Sequence, residues 1–233
     1  MKKIGVIGAM AVEVEGLKRA AQDIRQTQIA GMCFCEGTLR GVPAVIVQCG
    51  MGKVNAGVCA QVLISIFGVT HIVNTGVAGS LDDALDIGDV VVSTDAVQHD
   101  FDVTPIGFAR GEIPYTGLYA FPADEELREK ALEAVRAAAP QIHAVSGRVC
   151  SGDQFIAGRE QKQAIVSAFG GKCCEMEGAA IAQICHLNRV PFVIMRAISD
   201  KADAEAGIPF AQFEAQAAEI SQNVVRRMLE SLA

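Results

Sequence analysis

The chain has 233 residues, 51% of them hydrophobic, enough to bury a large core, and an α/β chain of this length is commonly one domain, so residues 1–233 are expected to form a single catalytic domain. Its 27 acidic side chains outnumber 20 scattered basic ones for a net charge of −7, and without a basic stripe to neutralise phosphates nucleic acid is excluded as a partner. No run of about eighteen uncharged apolar residues offers a membrane span.

In chain order, the apolar run at residues 4–7 follows Met1-Lys2-Lys3 and soon reaches Glu13 and Glu15 without a small-residue cleavage site. It reads as a buried first strand, not a secretory signal, and a cytoplasmic location follows. Between residues 32 and 49 the pattern Cys33-Phe34-Cys35-Glu36-Gly37-Thr38-Leu39-Arg40-Gly41 predicts a hairpin leading into a strand at 44–49. After Gly50-Met51-Gly52 comes a helix whose apolar face is expected at Val54, Val58, Val62 and Ile66. Strands are predicted at 71–74, 90–92, 144–150 and 191–197, and residues 98–122, rich in Gly and Pro, read as a long surface segment of the kind that forms binding loops. The last segment places Phe210, Phe213, Ala217, Ile220, Val224, Met228 and Leu232 on one helix face. Alternating strands and helices imply an α/β three-layer sandwich, a central mixed β-sheet flanked by helices on both sides.

The eight cysteines lie in apolar segments such as Val149-Cys150 and Ile184-Cys185 and read as small buried hydrophobes. Neither Cys33-Phe34-Cys35, nor Cys173-Cys174, nor the histidines His71, His99, His143 and His186 have zinc-ligand spacing, so no metal and no cofactor is expected.

Ligands of such sheets gather beyond the carboxyl ends of the strands. Those positions hold Gly8-Ala9-Met10 with Glu13, Gly50-Met51-Gly52, Asn74-Thr75-Gly76-Val77-Ala78-Gly79, Ser151-Gly152-Asp153-Gln154-Phe155-Ile156 and Arg196-Ala197-Ile198-Ser199-Asp200. Neither a dinucleotide fingerprint nor a P-loop is among them. Glu175-Met176-Glu177 opens the small, apolar run Gly178-Ala179-Ala180, where acids either favour a helix N-terminus or await a hydroxyl-rich ligand. The other candidates have structural alternatives too: Glu13 as a charge at a helix start, Asp200 as a turn cap, Phe155 as core, and Arg196 as a buried partner for Glu177.

Taken together and in order, these motifs, with His99-Asp100, resemble the 5′-methylthioadenosine/S-adenosylhomocysteine nucleosidases of the nucleoside phosphorylase superfamily, over nearly the whole chain. The resemblance implies hydrolysis of the bond between adenine and ribose in adenine thio-nucleosides. It assigns Asp200 to protonate adenine N7, Glu13 to activate water and Glu177 to hold the ribose hydroxyls. Phe155 and the backbone of Ile156 would take the adenine, Ser199 would orient Asp200, and Arg196 would lie near water and ribose. Glu175, Met176, Met10, Met51, Val103, Ile106, Pro114 and Phe210 match the surroundings of the ribose and its 5′ substituent. The segment carrying Val103, Ile106 and Pro114 would reach the neighbouring subunit's site, implying a homodimer. Val77 stands where the family often has serine, which removes a hydroxyl worth about 1 kcal/mol. Rival readings are a phosphorylase of the same superfamily, a non-catalytic purine-binding module, and a nucleosidase for aminodeoxyfutalosine.

Overall fold

The computed structural model describes residues 2–203 and 206–232, with the backbone alone at 207–209; Met1, Ala204, Glu205 and Ala233 lie outside the described residues. The apolar run near the start is β1 (Ile4–Gly8), buried throughout and paired in parallel with β4 (Val42–Gln48) and β5 (His71–Ser80). The expected hairpin is β3 (Met32–Leu39) turning into β4 at Arg40-Gly41, both in the left-handed region. Ahead of it lies a strand with no apolar pattern, β2 (Gln22–Ile29). It is an exposed sheet edge of mostly polar residues, so burial never selected its side chains.

The other side of β5 closes on itself. β5 pairs in parallel with β10 (Phe192–Asp200), β10 antiparallel with β6 (Val90–Gln98), and β6 in parallel with β8 (Ala144–Ser151). β8 joins β9 (Cys173–Glu175), and β9 returns to β5. The short β7 (Phe121–Pro122) pairs with β6. The sheet is therefore mixed, with helices on both faces: α1 (Ala11–Ala20), α3 (Glu125–Ala138) and α6 (Gly207–Glu230) pack together over one core, α2 (Lys53–Ser65) and α5 (Gly178–Asn188) over the other. α4 (Arg159–Phe169) covers a third, smaller cluster around Ile165 and Phe169.

Three strands run further than their apolar runs predict. β5 continues through Thr75–Ser80, β6 to Gln98, and β10 through Ile198 to Asp200, with register Arg196↔Gly76 and Asp200↔Gly79. Residues of β5 and β10 expected just past the strands are thus parts of the strands themselves, Gly79 paired with both Asp200 and Cys174 and Asp200 with Gly79. A bulge between Ile198 and Asp200 re-aims the tip of β10.

The face expected for α2 is also corrected. Val54, Val58 and Ile66 are exposed, and Ala56, Cys59, Ala60 and Leu63 face the core. α2 is apolar all round, so periodicity could not choose a side, and its small residues permit close packing on α5. On α6 the expected face is buried at Ala217, Val224 and Met228. All eight cysteines are free thiols, buried except for half-buried Cys33. Among the described residues no helix is long and apolar enough to cross a membrane.

Candidate active site

The ends of β1, β5, β9 and β10 and the loops after β4 and β8 meet at a cavity that opens to solvent, the concave kind of place in which small molecules bind. Its floor is charged. Arg196, on β10 and wholly buried, donates to Asn74 Oδ1 (2.7 Å) and to Glu175 Oε2, and stands 3.6 Å from Glu177 Oε2 and 4.0 Å from Glu13 Oε1. Burial alone would lower its pKa; Glu175, Glu177 and Glu13 together outweigh that and hold it above the usual value. A side chain at Gly76 would overlap both the Glu13 carboxylate and the Arg196 guanidinium, so the absent Cβ makes room for the pair.

Glu13 lies in the first turn of α1 and is 1% exposed. Its Oε2 accepts from the amides of Ala9 (2.6 Å) and Met10 (2.9 Å), and its Oε1 from the amide of Val77 on β5 (3.0 Å). Helix-start acid and cavity acid are therefore one residue. Burial raises its pKa, against the opposing pull of Arg196 and the three amides. Glu15, two residues on, is exposed and pairs with Lys18.

The two glutamates of Glu175-Met176-Glu177 part company. Glu175 accepts from Ser151 Oγ and from the amides of Gly178 (2.8 and 3.0 Å) and Glu177 (3.2 Å), as well as from Arg196, so the protein itself takes up its carboxylate at the start of α5. Arg196 is thus partnered by Glu175 more tightly than by Glu177. Among the described residues Glu177 receives only the Gly52 amide on Oε1 (2.8 Å) within hydrogen-bonding distance. Burial and the neighbouring Glu175 push its pKa up to about 7, against Arg196 and that amide.

At the far end Asp200 is 1% exposed, accepting from the Ala202 amide (2.8 Å) and from Ser199 Oγ (2.9 Å). Burial raises its pKa against those two donors. Phe155 is 49% exposed at the cavity wall and meets Phe210 edge to face at 5.5 Å, so it is not a core residue. Ile156 beside it is buried.

A model of the phosphorylase superfamily matches residues 3–230. A 5′-methylthioadenosine/S-adenosylhomocysteine nucleosidase of Glaesserella parasuis is 41% identical over 99% of this chain and 100% of its own length. The chain belongs to the phosphorylase superfamily, in its 5′-methylthioadenosine/S-adenosylhomocysteine nucleosidase family. The nucleosidase of that name from Neisseria meningitidis, solved in complex with methylthio-immucillin-A, matches with a TM-score of 0.96 at 38% identity, covering 99% of this chain and 100% of that one. A futalosine hydrolase of Helicobacter pylori matches with a TM-score of 0.94 at 32% identity, covering 99% and 98%.

Of the residues that the nucleosidase resemblance singles out, Met10, Glu13, Met51, Val77, Phe155, Ile156, Glu175, Met176, Glu177, Arg196, Ser199, Asp200 and Phe210 all line this one cavity. Val103, Ile106 and Pro114 do not; Ile106 is 71% exposed on the 98–122 segment. The lining also includes Ala9, Ala78, Gly79 and Gln154, which the sequence places in the strand-end motifs without a role of their own, and Cys174, which it reads as a small buried hydrophobe. Ala9, Ala78 and Gly79 offer little beyond backbone, so no side-chain chemistry marks them, whereas Gln154 was signalled by its place next to Phe155.

Proposed function

We propose that this chain hydrolyses the N-glycosidic bond of 5′-methylthioadenosine and S-adenosylhomocysteine to adenine and the 5-thio-substituted ribose. The observation that carries the reading is the convergence of Glu13, Glu177 and Asp200 on one cavity with unlike surroundings. Asp200, whose pKa burial raises, donates a proton to adenine N7 as the bond to the sugar breaks and its electron pair leaves with the base. Glu13, beside Arg196, takes a proton from the water that attacks the anomeric carbon on the opposite face. Glu177 accepts from the ribose hydroxyls, and Phe155 stacks on the purine.

Phosphorolysis is disfavoured by the same geometry. Among the described residues Arg196 is the only cation lining the cavity, Glu175 already occupies it, and a phosphate would face Glu13. The exposed apolar stripe of Val54, Val58 and Ile66 on α2, with Met51 and Ile106, supports a homodimer in which the 98–122 segment completes the neighbouring site through Val103, Ile106 and Pro114. The chain acts as one catalytic domain in the cytoplasm, in methionine salvage and removal of S-adenosylmethionine by-products.

Adenine release is to be measured on both thio-nucleosides and on aminodeoxyfutalosine, with and without phosphate. Turnover of the thio-nucleosides independent of phosphate is expected; strict dependence on phosphate overturns hydrolysis, and turnover of aminodeoxyfutalosine alone overturns the substrate.

A further inference from the structure

Lys53, Asp100 and Asp153 have no role in the chemistry above, yet they close a ring of hydrogen bonds between three loops beside the cavity. Lys53 is the first residue of α2, and its Nζ donates to Asp100 Oδ1 (2.7 Å) and to Gln98 Oε1 (3.0 Å). Asp100 Oδ2 accepts from the backbone amide of Asp153 (2.8 Å). Asp153 Oδ1 accepts in turn from the backbone amide of Lys53 (2.8 Å), which completes the circuit. The Lys53 and Asp100 side chains are each 19% exposed, so the pair is shielded well beyond an ordinary surface ion pair. Burial alone would raise the pKa of Asp100; the Lys53 ammonium and the Asp153 amide outweigh it and hold the carboxyl below its usual range.

The ring is fastened to both halves of the cavity. Gly52, immediately before Lys53, donates its amide to Glu177 Oε1 (2.8 Å). It does so with φ at 96°, where a side chain is strained and its Cβ would stand 3.1 Å from Asp153 Oδ1. On the other arm, Asp153 lies two residues before Phe155 and three before Ile156. Gln98, which shares the Lys53 ammonium, donates to Gln183 on α5 (2.6 Å), the helix that Glu177 precedes.

We propose that Lys53, Asp100 and Asp153 are positioning residues for the nucleoside: they hold the Gly52 amide on Glu177 and seat Phe155 and Ile156 at a fixed spacing from it. This rests on the reading of the cavity given under the proposed function. None of the three lines the cavity or contacts Glu13 or Asp200, so the effect falls on binding of the nucleoside and not on the chemical step.

The test is steady-state adenine release from 5′-methylthioadenosine in phosphate-free buffer by the full chain and by Asp100→Ala, Asp100→Asn, Lys53→Met and the Lys53→Met/Asp100→Ala double variant. Thermal midpoints and calorimetric adenine Kd are measured on the same samples. Asp100→Ala is expected to raise KM about tenfold with kcat changed less than about threefold. Asp100→Asn keeps an acceptor for the Asp153 amide and is expected to raise KM about threefold. The double variant should be no worse than Asp100→Ala, because both changes cut one ring. Partial unfolding would lower the active fraction, and hence apparent kcat, while leaving KM in place. An Asp100→Ala enzyme with KM and adenine Kd within about twofold of the parent, or additive losses in the double variant, overturns the proposal. If the parent binds adenine but releases none from nucleoside, the reaction assignment fails, and the adenine Kd series still decides the ring.

Discussion

At one end of the cavity Glu13, Glu175 and Glu177 crowd around Arg196; at the other, among the described residues, Asp200 is buried with a serine hydroxyl and one backbone amide as its hydrogen-bond donors. Both ends raise carboxylate pKa values by burial; at the first the main opposing pull on Glu13 and Glu177 is the Arg196 guanidinium, while at the second the Ala202 amide and the Ser199 hydroxyl oppose it more strongly than the cation Lys162 does. Under the proposed function this contrast would separate acid from base without any change of residue type. In that reading Asp200, hydrogen-bonded to neutral donors, serves the departing base, and Glu13, beside a guanidinium, serves the attacking water.

The largest effect is expected from removing the ionisable proton at the Asp200 end. Asp200→Asn should retain nucleoside binding and lose about 10³-fold in kcat; near-normal turnover would take Asp200 out of the mechanism. Next comes the cation itself. Arg196→Met strands buried carboxylates and should cost about 3 kcal/mol of stability in urea unfolding at pH 8. Carboxyl groups with raised folded-state pKa values favour the folded state once protonated, so that deficit should shrink as pH falls towards 5. An Arg196→Met protein as stable as the parent at pH 8 would mean that the guanidinium does not balance these acids. The smallest effect belongs to Glu177, whose pKa is raised to about 7: ionised above that pH, it accepts from hydroxyl groups, and neutral below it, it accepts less well. KM should rise about tenfold between pH 8 and pH 6, and a Glu177→Gln enzyme should show a KM that is high and flat across the range. A KM independent of pH in the parent would detach Glu177 from the ribose.

Much of this was legible in the chain. The strand cores were, because burial selects runs such as residues 4–7, and so was the long face of α6. β2 was not, because an exposed edge leaves no apolar mark, nor was the core side of α2, whose surface is apolar all round. Thr75–Gly79 and Ile198–Asp200 fell beyond the expected strands because polar residues inside a strand survive only when tertiary partners satisfy them. Arg196 finds Asn74 and Glu175, and Thr75 finds Ser221, both far away in sequence. The cavity residues were found through ordered motifs. The Lys53 ring was not, since its logic lies in which loops it ties together.

Strand β10 is hydrogen-bonded to β5 along one edge and to β6 along the other. Arg196 sits where this ribbon is paired on both sides and Asp200 at its tip, paired with Gly79 of β5, so a slip of a single residue would disturb the opposite ends of the cavity in the same stroke. Tuning of this protein for a new 5′ substituent is open to the loops that rim the cavity, while its central rail tolerates no partial adjustment.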